Sequence, residues 1–176
     1  MVSKAIVFAT KAHEGQFRKA TKIPYILHPM ECAVIISGMT TDEEMIAAAL
    51  LHDTVEDCDV TIEDIRREFG SRVAQFVARE SEDKSKSWQE RKQTTIDQLS
   101  SHTKEECMLV LADKLSNIRS ITRDYKELGE ALWDRFHEKR KERIGWYYKS
   151  IAEKLTCLSE YEQYAEYCRL VEQIFG

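Results

Sequence analysis

The chain has 176 residues, 43% hydrophobic and 32% charged, with 26 Lys and Arg against 31 Asp and Glu for a net charge of −5. That length supports one self-sufficient core, expected as a single domain over residues 1–176, and the apolar share excludes a disordered chain. The acidic balance argues against a nucleic-acid polymer as partner, and no apolar run is long enough to span a bilayer. Met1-Val2-Ser3-Lys4 leads straight into an amphipathic segment and not into the apolar core of a signal peptide. Five cysteines, odd in number and without a close pair, read as reduced core thiols in a cytoplasmic protein; a Cys-rich zinc site is not supported.

Two prolines, six glycines and apolar recurrence at three and four residues predict an all-α fold. A first helix is expected over about residues 2–14, with Ile6, Ala9 and His13 along one side and Gly15 as its stop. Residues 16–28 form a loop or short hairpin around Pro24, and a second helix starts at Pro29 and ends near Gly38. Thr41-x-x-Glu44 has the pattern of a capping box for a third helix that runs through Leu51 toward Asp57. Thr61-x-x-Asp64 and Ser71 read as caps of two short helices separated by Gly70, and residues 81–87 as a polar loop before a helix near Trp88. Thr103-x-x-Glu106 opens a helix carrying Val110, Leu111, Leu115, Ile118 and Ile121. A long helix is expected over about 133–157, and Ser159-x-x-Glu162 caps a last one to Phe175. The late tyrosines (Tyr147, Tyr148, Tyr161, Tyr164, Tyr167) read as core by default, and monomer and homo-oligomer are both compatible with the sequence.

The chemistry concentrates in four residues on three segments: His28, His52-Asp53 and Asp113. Alone, each has an ordinary reading, as a packed core histidine, a surface pair or half of an Asp-Lys helix pattern. As a set, two imidazoles and two carboxylates without thiolate suit one divalent ion, Mn²⁺ or Fe²⁺ in preference to structural Zn²⁺. His28 precedes a proline and is expected in an extended conformation at a helix mouth. If the third helix continues past Asp53, Glu56 and Asp57 lie one turn further on the same face. From there they can protonate a leaving group or orient water, and at a helix C-terminus they oppose the macrodipole. Asn117, one turn past Asp113, is placed to donate an amide hydrogen bond to a substrate. Arg18, Lys19 and Lys22, close before His28, favour an anionic ligand, whereas Lys139, Arg140, Lys141 and Arg143 read as a solvated face.

Five blocks in order carry a resemblance: Ala12-His13-Glu14-Gly15-Gln16-Phe17-Arg18-Lys19, Pro24-Tyr25-Ile26-Leu27-His28-Pro29, Ala48-Ala49-Leu50-Leu51-His52-Asp53-Thr54-Val55-Glu56-Asp57, Phe69-Gly70, and Leu111-Ala112-Asp113-Lys114-Leu115-Ser116-Asn117-Ile118-Arg119. Together they resemble the hydrolase half of RelA/SpoT proteins, in the stand-alone form of the small alarmone hydrolases. The resemblance covers residues 1–122 well and the last fifty loosely. It implies an HD-domain helical bundle holding one Mn²⁺ in a buried site, with Fe²⁺ as the alternative ion. The implied ligands are His28, His52, Asp53 and Asp113, the implied catalytic pair Glu56 and Asp57, and the nucleotide contacts Arg18, Lys19 and Asn117. Gln89-Glu90-Arg91-Lys92 resembles a basic substrate-facing segment, which adds Arg91 and Lys92. The implied reaction is removal of the 3′-pyrophosphate of guanosine tetra- or pentaphosphate. Its rivals are a phosphohydrolase of another 2′- or 3′-phosphorylated nucleotide and a silent nucleotide-binding module. The chain departs from the pattern in two places. The loop Lys19–Pro24 lacks a glycine, and Arg143 stands where an aromatic often faces the base.

Overall fold

The computed structural model describes residues 1–80 and 85–176, so residues 81–84 of the expected polar loop lie outside the described residues. The elements are α1 (Val2–Ala12), α2 (Leu27–Ser37), α3 (Glu43–Leu51), α4 (Thr54–Asp57), α5 (Ile62–Phe69), α6 (Ser71–Glu80), α7 (Trp88–Gln98), α8 (Lys104–Leu128), α9 (Lys141–Lys154) and α10 (Glu162–Phe175). Short 3₁₀ turns lie at Leu99–Ser101, Gly129–Arg135 and Thr156–Leu158. Among the described residues the only extended pairing is the bridge between Phe17 and Pro24. Arg18 N donates to Ile23 O at 2.8 Å and Tyr25 N to Gln16 O at 2.9 Å, which closes the small hairpin expected there. The fold is all-α, and no helix among the described residues is long and apolar enough to cross a membrane.

At the centre α2, α3 and α8 pack on one another, with α1 and α6 against α3 and α10 against α8. Helix α3 is enclosed on almost every side: Met45, Ala47, Ala48, Ala49, Leu50 and Leu51 are all buried. Three successive alanines let the surrounding helices come close, and they erase the amphipathic stripe of a surface helix. Three of the expected tyrosines, Tyr147, Tyr148 and Tyr167, are buried in the core.

Several boundaries differ from the sequence expectations. The cap of α3 is Asp42, whose carboxylate accepts from Glu44 N at 2.9 Å, and not Thr41. Helix α3 stops at Leu51, and one separate turn, α4, follows after His52 and Asp53. Because α4 is one turn long, the macrodipole argument for Glu56 and Asp57 does not apply. His28 lies inside the first turn of α2, not in extended backbone. Pro29 is tolerated there because an amide N–H so early in a helix has no intrahelical acceptor to lose. Ile6 is exposed, and the inward stripe of α1 is Ala5 and Ala9, continued by His13 beyond its end. Ser71 is the first residue of α6 and not its cap, since Gly70 O accepts from Ala74 N.

The helix expected over 133–157 is split. Leu132 and Trp133 are buried in the 3₁₀ turn, where Trp133 Nε1 donates to Glu130 Oε2 at 2.9 Å, and α9 starts only at Lys141. Helix α10 starts behind Tyr161 without a side-chain cap, because Ser159 N closes the preceding turn onto Thr156 O. In the hairpin loop, Ala20 takes a left-handed backbone, φ 57°. That conformation costs an alanine about 1–2 kcal/mol, which a glycine would not pay.

The capping boxes at Thr61 and Thr103 are formed as expected, each hydroxyl accepting from the third amide while the acidic side chain returns to the cap. Exposed Thr103 therefore starts the helix that carries Asp113. Thr103→Ala is expected to lower stability by about 1 kcal/mol in urea denaturation. An unchanged midpoint would show that packing alone holds this helix end.

Candidate active site

The site lies where α3 gives way to α4. His52 ends α3, and Asp53 takes the position before α4 yet caps nothing; its Oδ2 accepts from the Tyr25 hydroxyl at 2.7 Å instead. Thr54 Oγ1 donates to Leu51 O at 2.7 Å and secures the turn. Helix α2 brings His28 opposite, and α8 brings Asp113. His28 Nε2 lies 3.1 Å from Asp113 Oδ1 and 3.6 Å from Asp53 Oδ2. His52 Nε2 lies 3.2 Å from Asp53 Oδ2 and 3.9 Å from Asp113 Oδ1.

These four side chains fit a divalent cation. Among the described residues His52 Nε2 is buried without a hydrogen-bond partner: the Asp53 oxygen is near but not aligned. Its other nitrogen, Nδ1, is 2.9 Å from Ala49 O, which can only accept, so Nδ1 carries a proton and Nε2 is the atom turned to the carboxylates. Burial opposes charge on His52, but Asp53 and Asp113 outweigh it and hold the imidazole at about 10. Burial likewise opposes charge on Asp53, yet His52 and His28 hold its carboxyl below the ordinary range. At Asp113 Lys114 and His28 overcome burial in the same way. For His28 burial prevails and lowers its affinity for a proton. The pocket therefore favours positive charge beside two ionised carboxylates, as a cation site needs.

Cys32, expected as a reduced core thiol, lies beside the cluster. Atoms of His28, Cys32, His52 and Asp113 lie within 4.8 Å of one another. Burial raises the Cys32 thiol well above its usual range, and the thiol is placed to donate to Ala112 O at 3.7 Å, so it lines the site as a protonated neighbour.

Around the four, Asn117 Nδ2 donates to Asp113 Oδ1 at 2.6 Å and Arg18 Nη2 donates to Asn117 Oδ1 at 2.8 Å. Lys114 pairs with Asp113 Oδ2. The Tyr25 hydroxyl also approaches Asp57 Oδ2 at 3.3 Å, and Asp57 N bonds Asp53 O at 2.9 Å, so the carboxylates of α4 stand one turn from Asp53 as expected. Glu56 is half-buried and Asp57 exposed.

A cleft adjoins the site in two lobes. One, of about 260 Å³, includes Arg18, Lys19, Tyr25 and Asn117 in its wall; the other, of about 320 Å³, includes Trp88, Arg91, Lys92 and Lys114. Both lobes share Lys19, Asn117, Phe136 and Tyr148. All five residues expected to meet a nucleotide thus line one cleft, brought there from the hairpin, α7 and α8. The second basic stretch does not join them. Arg140 and Arg143 pair with Glu138, at 2.7 and 3.0 Å, and the Arg143 guanidinium lies 5.7 Å from the Trp88 ring centre.

A family model described as HD domain matches residues 5–140. The chain belongs to the HD-domain family. Guanosine-3′,5′-bis(diphosphate) 3′-pyrophosphohydrolase MESH1 of Danio rerio is 40% identical over 123 residues, 68% of each chain. A solved structure described as a metazoan ortholog of SpoT that hydrolyzes ppGpp and plays a role in starvation responses superposes with a TM-score of 0.81. It is 28% identical and covers 98% of this chain and 94% of its own. The crystal structure of lmo0812 from Listeria monocytogenes EGD-e gives a TM-score of 0.78 at 37% identity, over 84% of this chain and 98% of that one. Within the HD-domain family the chain is of the RelA/SpoT type.

Sequence reading passed over two residues of this HD-domain site. Cys32 was legible in principle, four residues after His28 and therefore on the same helical face. Tyr25 was visible only as part of a motif; its link to Asp53 and Asp57 depends on how the hairpin folds over α4. His52→Ala and Asp113→Ala are each expected to abolish Mn²⁺ retention through dialysis, measured by metal analysis, while the helical circular dichroism persists. Stoichiometric Mn²⁺ in both variants would place the ion elsewhere.

Proposed function

We propose that this chain is a divalent-cation-dependent phosphohydrolase. It removes the 3′-pyrophosphate of guanosine tetra- or pentaphosphate and leaves GDP or GTP and pyrophosphate. The observation that carries the reading is the buried two-histidine, two-carboxylate cluster whose supporting residues, Tyr25 and Asn117, are also walls of a cationic, aromatic cleft. The relatives named for this activity support the choice of substrate. Residues 1–176 act as one domain in the cytoplasm, on a small-molecule nucleotide.

His28, His52, Asp53 and Asp113 hold the ion, Mn²⁺ by preference of the donor set and Fe²⁺ as its alternative. When bound, it supplies a Lewis acid that polarises water and a phosphoryl oxygen. The rest falls to the chain's own side chains. Arg18, aimed by Asn117, and Lys19 take phosphoryl oxygens and offset the charge that grows on them in the transition state. The bond from phosphorus to the 3′-oxygen breaks as water attacks, so one proton must leave the water and one must reach the 3′-oxygen. Glu56 and Asp57, one turn beyond Asp53, carry these protons. Arg91 and Lys92 receive the remaining phosphates from the far lobe. With Arg143 turned onto Trp88 and Glu138, the faces offered to the base are Phe136 and Tyr148.

Purified protein given Mn²⁺ and guanosine tetraphosphate is expected to release pyrophosphate and GDP. Glu56→Gln/Asp57→Asn is expected to keep the ion and lose roughly 10²–10⁴-fold in kcat. Full turnover in that variant removes both residues from the mechanism. Orthophosphate released instead from a nucleotide 2′- or 3′-monoester would select a different substrate for the same site.

A further inference from the structure

The two histidines of the cluster are oriented by different means. His52 is fixed by a backbone carbonyl of its own helix, Ala49 O. His28 sits in the first turn of α2, and its Nδ1 meets a side chain from another helix, Ser116 Oγ, at 2.8 Å. Both partners are nearly sealed from solvent, His28 at 3% exposure and Ser116 at 1%, so water cannot substitute for either.

The direction of that hydrogen bond is settled one residue further out. Ser116 Oγ donates to the Glu31 carboxylate, Oε2, at 2.8 Å. A carboxylate only accepts, so the single hydroxyl proton is committed to Glu31 and the oxygen turns a lone pair toward His28. Nδ1 must then be the donor. A neutral imidazole has one N–H, which leaves Nε2 bare, and Nε2 is the atom facing Asp113 and Asp53. In the neutral ring Nε2 and Asp113 Oδ1 are then two acceptors facing each other at 3.1 Å, an arrangement that a shared cation relieves. Cys32 Sγ does not take the serine's part. It is 3.7 and 3.9 Å from the two ring nitrogens, nearly equidistant and so in line with neither lone pair.

Glu31 is itself held. Arg119 Nη1 reaches Glu31 Oε1 at 3.3 Å, and Arg119 grips Glu166 of α10 with two bonds, Nε at 2.8 Å and Nη2 at 2.6 Å. The line of contacts from His28 to the last helix is therefore Ser116, Glu31, Arg119, Glu166.

We infer that Ser116 and Glu31 are positioning residues for the cation: they hold His28 as the Nδ1–H tautomer and so present the bare Nε2 as the ring atom that binds it. This rests on the cation site proposed above. The anionic end of the relay also makes the imidazole a more basic ligand, as outer carboxylates do for metal-bound histidines generally.

The test is calorimetric titration of the metal-free full chain with Mn²⁺. Ser116→Ala is expected to weaken binding roughly 10–100-fold. Glu31→Gln keeps an acceptor for the hydroxyl but loses the charge, and is expected to weaken binding less. In both variants added Mn²⁺ is expected to restore turnover, which it would not do for a fold defect. Wild-type affinity in both variants overturns the relay and leaves the proposed function standing. Turnover that excess Mn²⁺ does not restore also overturns it. A wild-type chain that binds no Mn²⁺ overturns relay and function together. If Ser116→Ala fails to fold, half-buried Glu31→Gln decides alone.

Discussion

Two carboxylates and two imidazoles share a space in which each histidine Nε2 has both carboxylates within 3.9 Å. Ionised carboxylates are expensive to bury, and their mutual repulsion grows as water is excluded. The surrounding protein answers that charge with Lys114 against Asp113, the Tyr25 hydroxyl against Asp53 and an imidazole at His52 that favours its charged form. Helices α2, α3 and α8 meet at this point, with α2 packed closely on both of the others. The hydrophobic core thus supplies the rigidity that keeps like charges together, and the cation neutralises what the core confines.

His52 and Asp53 both keep right-handed helical backbone (φ −56°, ψ −38° and φ −88°, ψ −8°), so their side chains diverge much as neighbours on a helix do. They share one site because His28 of α2 and Asp113 of α8 close on the seam between their two directions. Thr54, bonded to Leu51 O, secures the turn that follows, and Glu56 and Asp57 stand one turn away on α4. Tyr25 and Asn117 then connect the buried cluster to the cleft, each bonding a carboxylate of the cluster while forming cleft wall. Binding and chemistry are therefore tied through two side chains and not through a mobile segment.

Much of this was legible in the sequence where the signal was local or carried by a set of residues. The Thr61 and Thr103 boxes are read from three-residue spacings and form as read. His28, His52, Asp53 and Asp113 stood out only as a set, two imidazoles and two carboxylates sent from three segments, although no member alone distinguishes itself from a core or surface residue. What failed depended on tertiary context. Pro29 left His28 helical because the first turn has no hydrogen bond there to lose. Asp42 displaced Thr41 as cap, and burial of Trp133 in a 3₁₀ turn cut the long helix short. The break after Leu51 carries no glycine or proline to announce it. The hydrogen bond from Tyr25 to Asp53 that accompanies it joins residues 28 positions apart, which no local spacing reveals.

The account's central claim is that one cation unites these four side chains. A crystal grown with Mn²⁺, with anomalous scattering recorded at the manganese edge, tests it most directly. The account predicts a single strong peak bounded by His28 Nε2, His52 Nε2 and one oxygen each of Asp53 and Asp113. A peak elsewhere, or none at this position with Mn²⁺ in excess, would contradict it.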